Sequence, residues 1–302
     1  MNSIPRAVRA CLLAAALVPA TTFATENGLG TYPIGVNTVL NGVLPPPGGT
    51  QFYNYSLFYV ANRFAGPDGN AAVPGFRSAV FVDAPRVVHT WGTMLGPFAI
   101  SSGIVVPVAR VNVDAAGSSG TRTGLGDIIL QPFMIGYTNP DKTFFTFLSP
   151  DVSLRTGSYS STRLANIGTN YYAFQPNLNA TWFPSPKWEL SATAQLEVHS
   201  PNHATQYHSG TIGSIDWLVG YAIGKKLQVG VQGYYLKQVS DDKQNGQRVG
   251  PDGFRGQAAA IGPQLRYDFG PAAAVVLKYQ HEFAVRNRSK GERIWIEFAF
   301  PI

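Results

Sequence analysis

Residues Gly168 to Ser200 read GTNYYAFQPNLNATWFPSPKWELSATAQLEVHS, and the fold follows from this stretch. Two segments in it alternate with period two. In the first, Tyr172, Phe174, Pro176, Leu178, Ala180 and Trp182 share one face, and Tyr171, Gln175, Asn177, Asn179 and Thr181 share the other. In the second, Trp188, Leu190, Ala192, Ala194, Leu196 and Val198 alternate with Glu189, Ser191, Thr193, Gln195, Glu197 and His199. Successive side chains of a strand point to opposite faces, so each segment is a ribbon with one oily and one wet side. Phe183-Pro-Ser-Pro-Lys187 separates them as a turn, because proline cannot donate to a ladder. Each ribbon has the ~10 residues that a tilted strand needs to cross a bilayer. Trp182 and Trp188 flank the turn, where an interfacial aromatic belt would put them.

The rest of the chain repeats the pattern. Twelve strands are expected, over 51–64, 76–91, 97–112, 124–138, 143–155, 168–183, 188–199, 209–223, 227–240, 256–269, 273–286 and 291–302. The connections alternate in length. Short ones fall at 92–96, 138–142, 184–187, 224–226 and 270–272. Long ones fall at 65–75, 112–123, 156–167, 200–208 and 241–255. An outer-membrane barrel separates periplasmic turns from external loops in this way. The expected fold is therefore all-β: a transmembrane, antiparallel, up-and-down barrel over 51–302. The last strand puts Ile294, Ile296, Phe298, Phe300 and Ile302 on one face. It is similar to the terminal strand that outer-membrane assembly machinery reads, although such strands usually end in Phe.

Composition agrees. Charged residues are 13%, Gly is 32 of 302 and mean hydropathy is −0.01, a value that alternation explains without a soluble core. No run of eighteen apolar residues suggests a membrane helix. Residues 1–24 read as a signal peptide cleaved near Ala24. Arg6 and Arg9 precede the apolar stretch Ala10–Val18, and Thr22-Phe-Ala24 supplies the cleavage flank. Cys11, the single cysteine, lies within it, which removes disulfides and thiolate chemistry from the mature chain. Without Arg6 and Arg9, 21 basic residues stand against 17 acidic ones, with no basic run, so nucleic acid is not an expected partner. Residues 25–50 are rich in Gly, Pro and Asn. They read either as an extended leader or as a segment folded into the lumen as a plug.

The wet parity of each strand nominates lumen-lining residues. These are Asp151 and Arg155; Gln175, Asn177 and Asn179; Glu189, Gln195 and Glu197, with His199; Asp216; Gln232, Tyr234 and Gln238, with Gln228; Arg266, with Asp268; Lys278 and Glu282, with Gln280 and Arg286; and Arg293 and Glu297. The charges on the last three strands alternate in sign, which suits cross-strand pairs and predicts weak ion selectivity. Phe145, Phe147, Tyr171, Tyr234 and Trp295 fall on the same inward parity. Aromatic walls with few polar anchors suit apolar ligands.

Other clusters carry less. His199, His203 and His208 could hold a metal, and Asp241, Asp242 and Asp252 a calcium ion, but both groups read more simply as solvated loops. Gly124-Leu-Gly126 is turn chemistry. No His-x-Ser places an imidazole beside a hydroxyl on one outward face, so an enzyme is not expected. No cofactor is expected either.

Several words resemble the phenol meta-pathway degradation family of outer-membrane barrels. They are Gly124-Leu-Gly-Asp127 through Pro132, Arg155-Thr-Gly157-Ser-Tyr159, Asn166-Ile-Gly168-Thr-Asn170, Pro201 through Gly210 followed by Asp216, and Val229 through Asp242. The resemblance implies a barrel in the cell outer membrane that moves aromatic or other hydrophobic compounds. The expected function is a passive outer-membrane channel for such solutes, with the bilayer and the solute as partners. The alternatives are a non-transporting structural or adhesive barrel with a plugged lumen, a membrane enzyme, and a soluble periplasmic β-protein.

Overall fold

The computed structural model describes residues 30–302. The expected signal peptide and its cleavage point lie outside the described residues. Among the described residues every element is a strand: β1 (Thr50–Ala65), β2 (Arg77–Leu95), β3 (Phe98–Val105), β4 (Val108–Ala115), β5 (Ser118–Leu125), β6 (Ile129–Thr138), β7 (Phe144–Ser153), β8 (Ala173–Ser185), β9 (Trp188–His199), β10 (Tyr207–His208), β11 (Ile212–Ile223), β12 (Leu227–Gln238), β13 (Lys243–Gln244), β14 (Gln247–Arg248), β15 (Gln257–Gly270), β16 (Ala273–Arg286) and β17 (Arg288–Pro301). Neighbours pair antiparallel in the order β1-β17-β16-β15-β12-β11-β9-β8-β7-β6-β3-β2, and β2 pairs back onto β1. The wall is thus a closed barrel of 12 strands, and β5, which pairs with β4 alone, keeps one side open.

Parity sorts the side chains as the alternation requires. On β8, Phe174, Leu178 and Trp182 are about half exposed, whereas Gln175, Asn177, Asn179 and Thr181 are buried inside. On β17, Ile294, Phe298 and Phe300 face out, and Trp295 faces in at 1% exposure. An outward apolar belt of this extent suits lipid and not water.

Four local departures have physical causes. The expected strands over 97–112 and 124–138 are each broken. At Val106-Pro107 the proline has no N–H to donate, and β3 gives way to β4, which pairs with the other half of β2. β4 and β5 form a hairpin hung on β2, with β5 paired to β4 alone, so the loop expected over 112–123 is strand on both sides of a tight turn. Its two-residue turn, Ala116-Gly117, has φ of 50° and 83°, the positive pair that a tight hairpin demands. Beyond Gly126–Ile128, β6 resumes the wall beside β3. β7 ends at Ser153, so Arg155 lies beyond the strand; it is exposed and sits 4.8 Å over the outward Tyr172 ring. Ala284 takes φ 51° in β16 and shifts the parity. Val285 is consequently buried and Arg286 points out rather than into the lumen. Last, β16 and β17 are joined through Asn287 alone (φ 50°), a tight turn at the end of the barrel where the other connections are long.

Candidate functional site

The lumen is where the wet faces converge, and residues 31–49 run through it. Asp216 of β11 accepts hydrogen bonds from the Tyr32 hydroxyl (2.9 Å) and from the backbone N–H groups of Gly35 (3.0 Å) and Asn37 (3.2 Å). Glu197 of β9 accepts from the Thr31 N–H and hydroxyl, both at 2.7 Å. Glu189 accepts from the Leu40 N–H (2.8 Å), and the Thr181 hydroxyl from the Gly42 N–H (3.0 Å). From the opposite wall, Lys278 Nζ donates to the carbonyls of Gly35 (3.1 Å) and Val36 (2.7 Å) and to the Thr38 hydroxyl (2.9 Å). Gln280 also donates to the Gly35 carbonyl, and Arg293 to that of Ile34. The carboxylates thus receive the segment's N–H groups and the cations its carbonyls, so buried main-chain groups that make no ladder still find partners.

Glycine permits the close approach at two points. Gly35 has φ +86°, and an added Cβ would lie 2.6 Å from Gln280 and 2.8 Å from Tyr234. At Gly42 a Cβ would lie 2.2 Å from the Phe145 carbonyl oxygen.

Three apolar side chains of the segment fill apolar sockets in this polar interior. Ile34 packs with Tyr234, Leu236, Ala258 and Val285. Val36 packs with Leu57, Tyr59 and Trp295. Leu44 reaches Val88, Met134 and Phe147.

The nominated side chains are distributed as follows. Asp151 is buried and accepts from Gln131 (2.8 Å). Gln175 donates to Thr31, while Asn177 and Asn179 continue a polar chain along β8. Gln195 is buried beside them. Arg266 pairs with Glu189 (2.8 Å) and with Asp268 (3.3 Å), Lys278 with Glu297 (2.5 Å), and Arg293 with Glu282 (2.9 Å). Tyr234 also donates to Glu282, and Gln232 accepts from Gln280 (2.8 Å). Gln238 sits higher, donating to Asp242 (2.6 Å) among the loops. Arg155 does not join them. Sequence reasoning passed over Arg86, which donates to Gln131 (2.7 Å) and stands 5.3 Å over the Tyr53 ring, and Gln264, which accepts from Thr38 (2.8 Å). Both lie on inward parities; Arg86 is obscured by the apolar run around it.

The loop clusters separate. His199 faces the lumen and bridges Glu197 (2.9 Å) and the Gly210 carbonyl, while His203 and His208 are exposed. Asp241 pairs with Arg255 (2.6 Å) and Arg248 (3.2 Å), and those partners hold its carboxyl below the usual carboxylate range. Asp242 accepts from Tyr207 and from the Gly210 N–H, fixing the small β10-β13-β14 sheet, and Asp252 accepts from Asn287 (2.7 Å).

Among solved structures, the COG4313 outer membrane channel from Pseudomonas putida F1 superposes with TM-score 0.78 at 15% identity, over 88% of this chain and 100% of that one. The beta domain of the Bordetella autotransporter BrkA superposes with TM-score 0.54 at 9% identity, over 84% of this chain and 99% of that one. At these identities the likeness is one of fold, that of an outer-membrane barrel. No curated protein matches the sequence. The family described as "Putative MetA-pathway of phenol degradation" matches residues 61–298, and the chain belongs to it.

Proposed function

We propose that the protein is an outer-membrane channel for small hydrophobic or aromatic compounds, closed in this state by its own residues 31–49. One observation carries the reading: Ile34, Val36 and Leu44 occupy three apolar sockets in an otherwise polar lumen. When the segment leaves, those sockets face the lumen. Rings such as Phe147, Tyr234 and Trp295 then offer apolar solutes a path of intermediate contacts between polar groups. Hydrogen bonds hold most of the segment's main chain, and water can replace these as it moves. Movement down the concentration gradient needs no energy source, so passage is passive. The family's link to phenol degradation and the channel named among the structural neighbours point the same way.

The filled lumen also favours a second reading, a non-transporting barrel whose loops engage a partner. The two separate in vesicles with lipopolysaccharide in the outer leaflet, which slows apolar solutes. Inserted protein should speed entry of a monoaromatic probe well above that of a sugar of equal size. Equal rates with and without protein, for the full chain and for a chain lacking residues 30–48, would favour the second reading.

A further inference from the structure

The outward face of the barrel carries a row of cations at the long-loop end, on β12, β16, β17, β1 and β2, with Gln257 of β15 between the first two. Register fixes their alignment. Lys237 of β12 lies opposite Gln257 of β15, and Gln257 opposite Arg286 of β16. Lys290 of β17 lies opposite Arg63 of β1, and Arg77 opens β2 beside them. Lys237, Arg286 and Arg77 are exposed, Arg63 and Lys290 half-buried. None of the five makes an ion pair among the described residues.

Two clefts open along this row, and Arg286 lines both. One, of about 460 Å³, is lined by Lys237 and Arg286, by Arg248 and Arg255, which already pair with Asp241, and by the carboxylate of Asp252. The other, of about 240 Å³, is lined by Arg63, Arg286 and Lys290, with Asp68 as its only carboxylate. Both carboxylates are already engaged, Asp252 by Asn287 and Asp68 by Asn70. Directly below on the same outward face lie Tyr235, Ile261, Phe283 and Val60, 40–60% exposed.

We propose that this rim binds a phosphorylated glycolipid of the outer leaflet. The phosphates would sit in the two clefts and the acyl chains along the apolar belt beneath. Arginine pairs with phosphate in bidentate fashion, and such charge-assisted bonds are the strong ones. The pairing of cations with an apolar belt on one face selects a lipid over a soluble anion. Row and belt face the bilayer, so occupancy does not depend on what passes through the lumen.

The test uses the full barrel folded in detergent, with lipid retention read by native mass spectrometry. The probes are bis-phosphorylated lipid A, dephosphorylated lipid A and inorganic phosphate. The phosphorylated lipid should be retained, and R286Q/K290Q should weaken its retention by tenfold or more. K225Q/K226Q, which removes two cations from a turn at the other end, should not change it. Heat-modifiable gel migration verifies folding, and R63Q/K237Q serves as a second pair should the first not fold. The proposal is overturned by equal retention of the dephosphorylated lipid, by retention unchanged in both rim pairs, or by inorganic phosphate binding as tightly as the lipid.

Discussion

Asp216→Ala is the sharpest perturbation of the lumen, because every hydrogen bond its carboxylate makes goes to the segment and none to the wall. Three donors lose their acceptor: the Tyr32 hydroxyl and the Gly35 and Asn37 N–H groups. Hydrogen bonds to a charged group contribute about 1.5–3 kcal/mol each. The freed donors regain water once the segment moves, so the lower bound applies, roughly 4.5 kcal/mol in all. At about 1.4 kcal/mol per tenfold, the displaced population should rise by about three orders of magnitude. The wall keeps its ladders, so unfolding of the barrel should hardly change. The assay places a cysteine in the segment by Val36→Cys, with Cys11→Ser, and follows labelling by a bulky maleimide. Val36 is buried at 6%, so labelling reports displacement. A labelling rate equal to that of the Asp216 protein would refute the idea that this carboxylate holds the segment. Faster labelling together with a collapsed unfolding midpoint would refute its selectivity.

Gly42→Val tests the segment from its own side. The new side chain meets the Phe145 carbonyl and the Thr181 N–H at 2.2 and 2.7 Å, and solute entry should rise without loss of barrel stability. Leu178→Arg puts a charge at mid-strand on the outward face and should cost about 2–4 kcal/mol in folding into bilayers, measured by urea titration; a negligible cost would mean that this face does not meet lipid. The Asp241 carboxyl, held low by Arg255 and Arg248, gives a pH prediction. Its contribution to loop order is present above the ordinary carboxylate value and is lost only as pH falls through the lower folded value. An NMR titration midpoint at or above the free-peptide value of about 3.9 would contradict the pairing.

Much of this barrel was legible in the sequence, because period-two alternation states both the strand and the face it shows. The Gln175–Thr181 and Glu189–His199 runs gave inward and outward sets directly. The failures occur where one residue breaks the period. Ala284 at positive φ exchanges Val285 and Arg286 between faces, and alanine carries no mark of such a conformation. Arg155 fails because parity was extended two residues past the end of β7. Pro107 marked a break, but that a separate hairpin would start there depends on which half of β2 each strand meets. The course of residues 31–49 was open because irregular backbone has no period; its anchors lie ~140–260 residues away in sequence, on six different wall strands.

Whether the lumen is a channel closed by the chain's own segment is read from single-channel conductance in planar bilayers. The full chain should stay mostly non-conducting with brief openings, and the chain lacking residues 30–48 should give a stable open step with weak ion selectivity. A deletion variant that folds and inserts yet passes no current would contradict it.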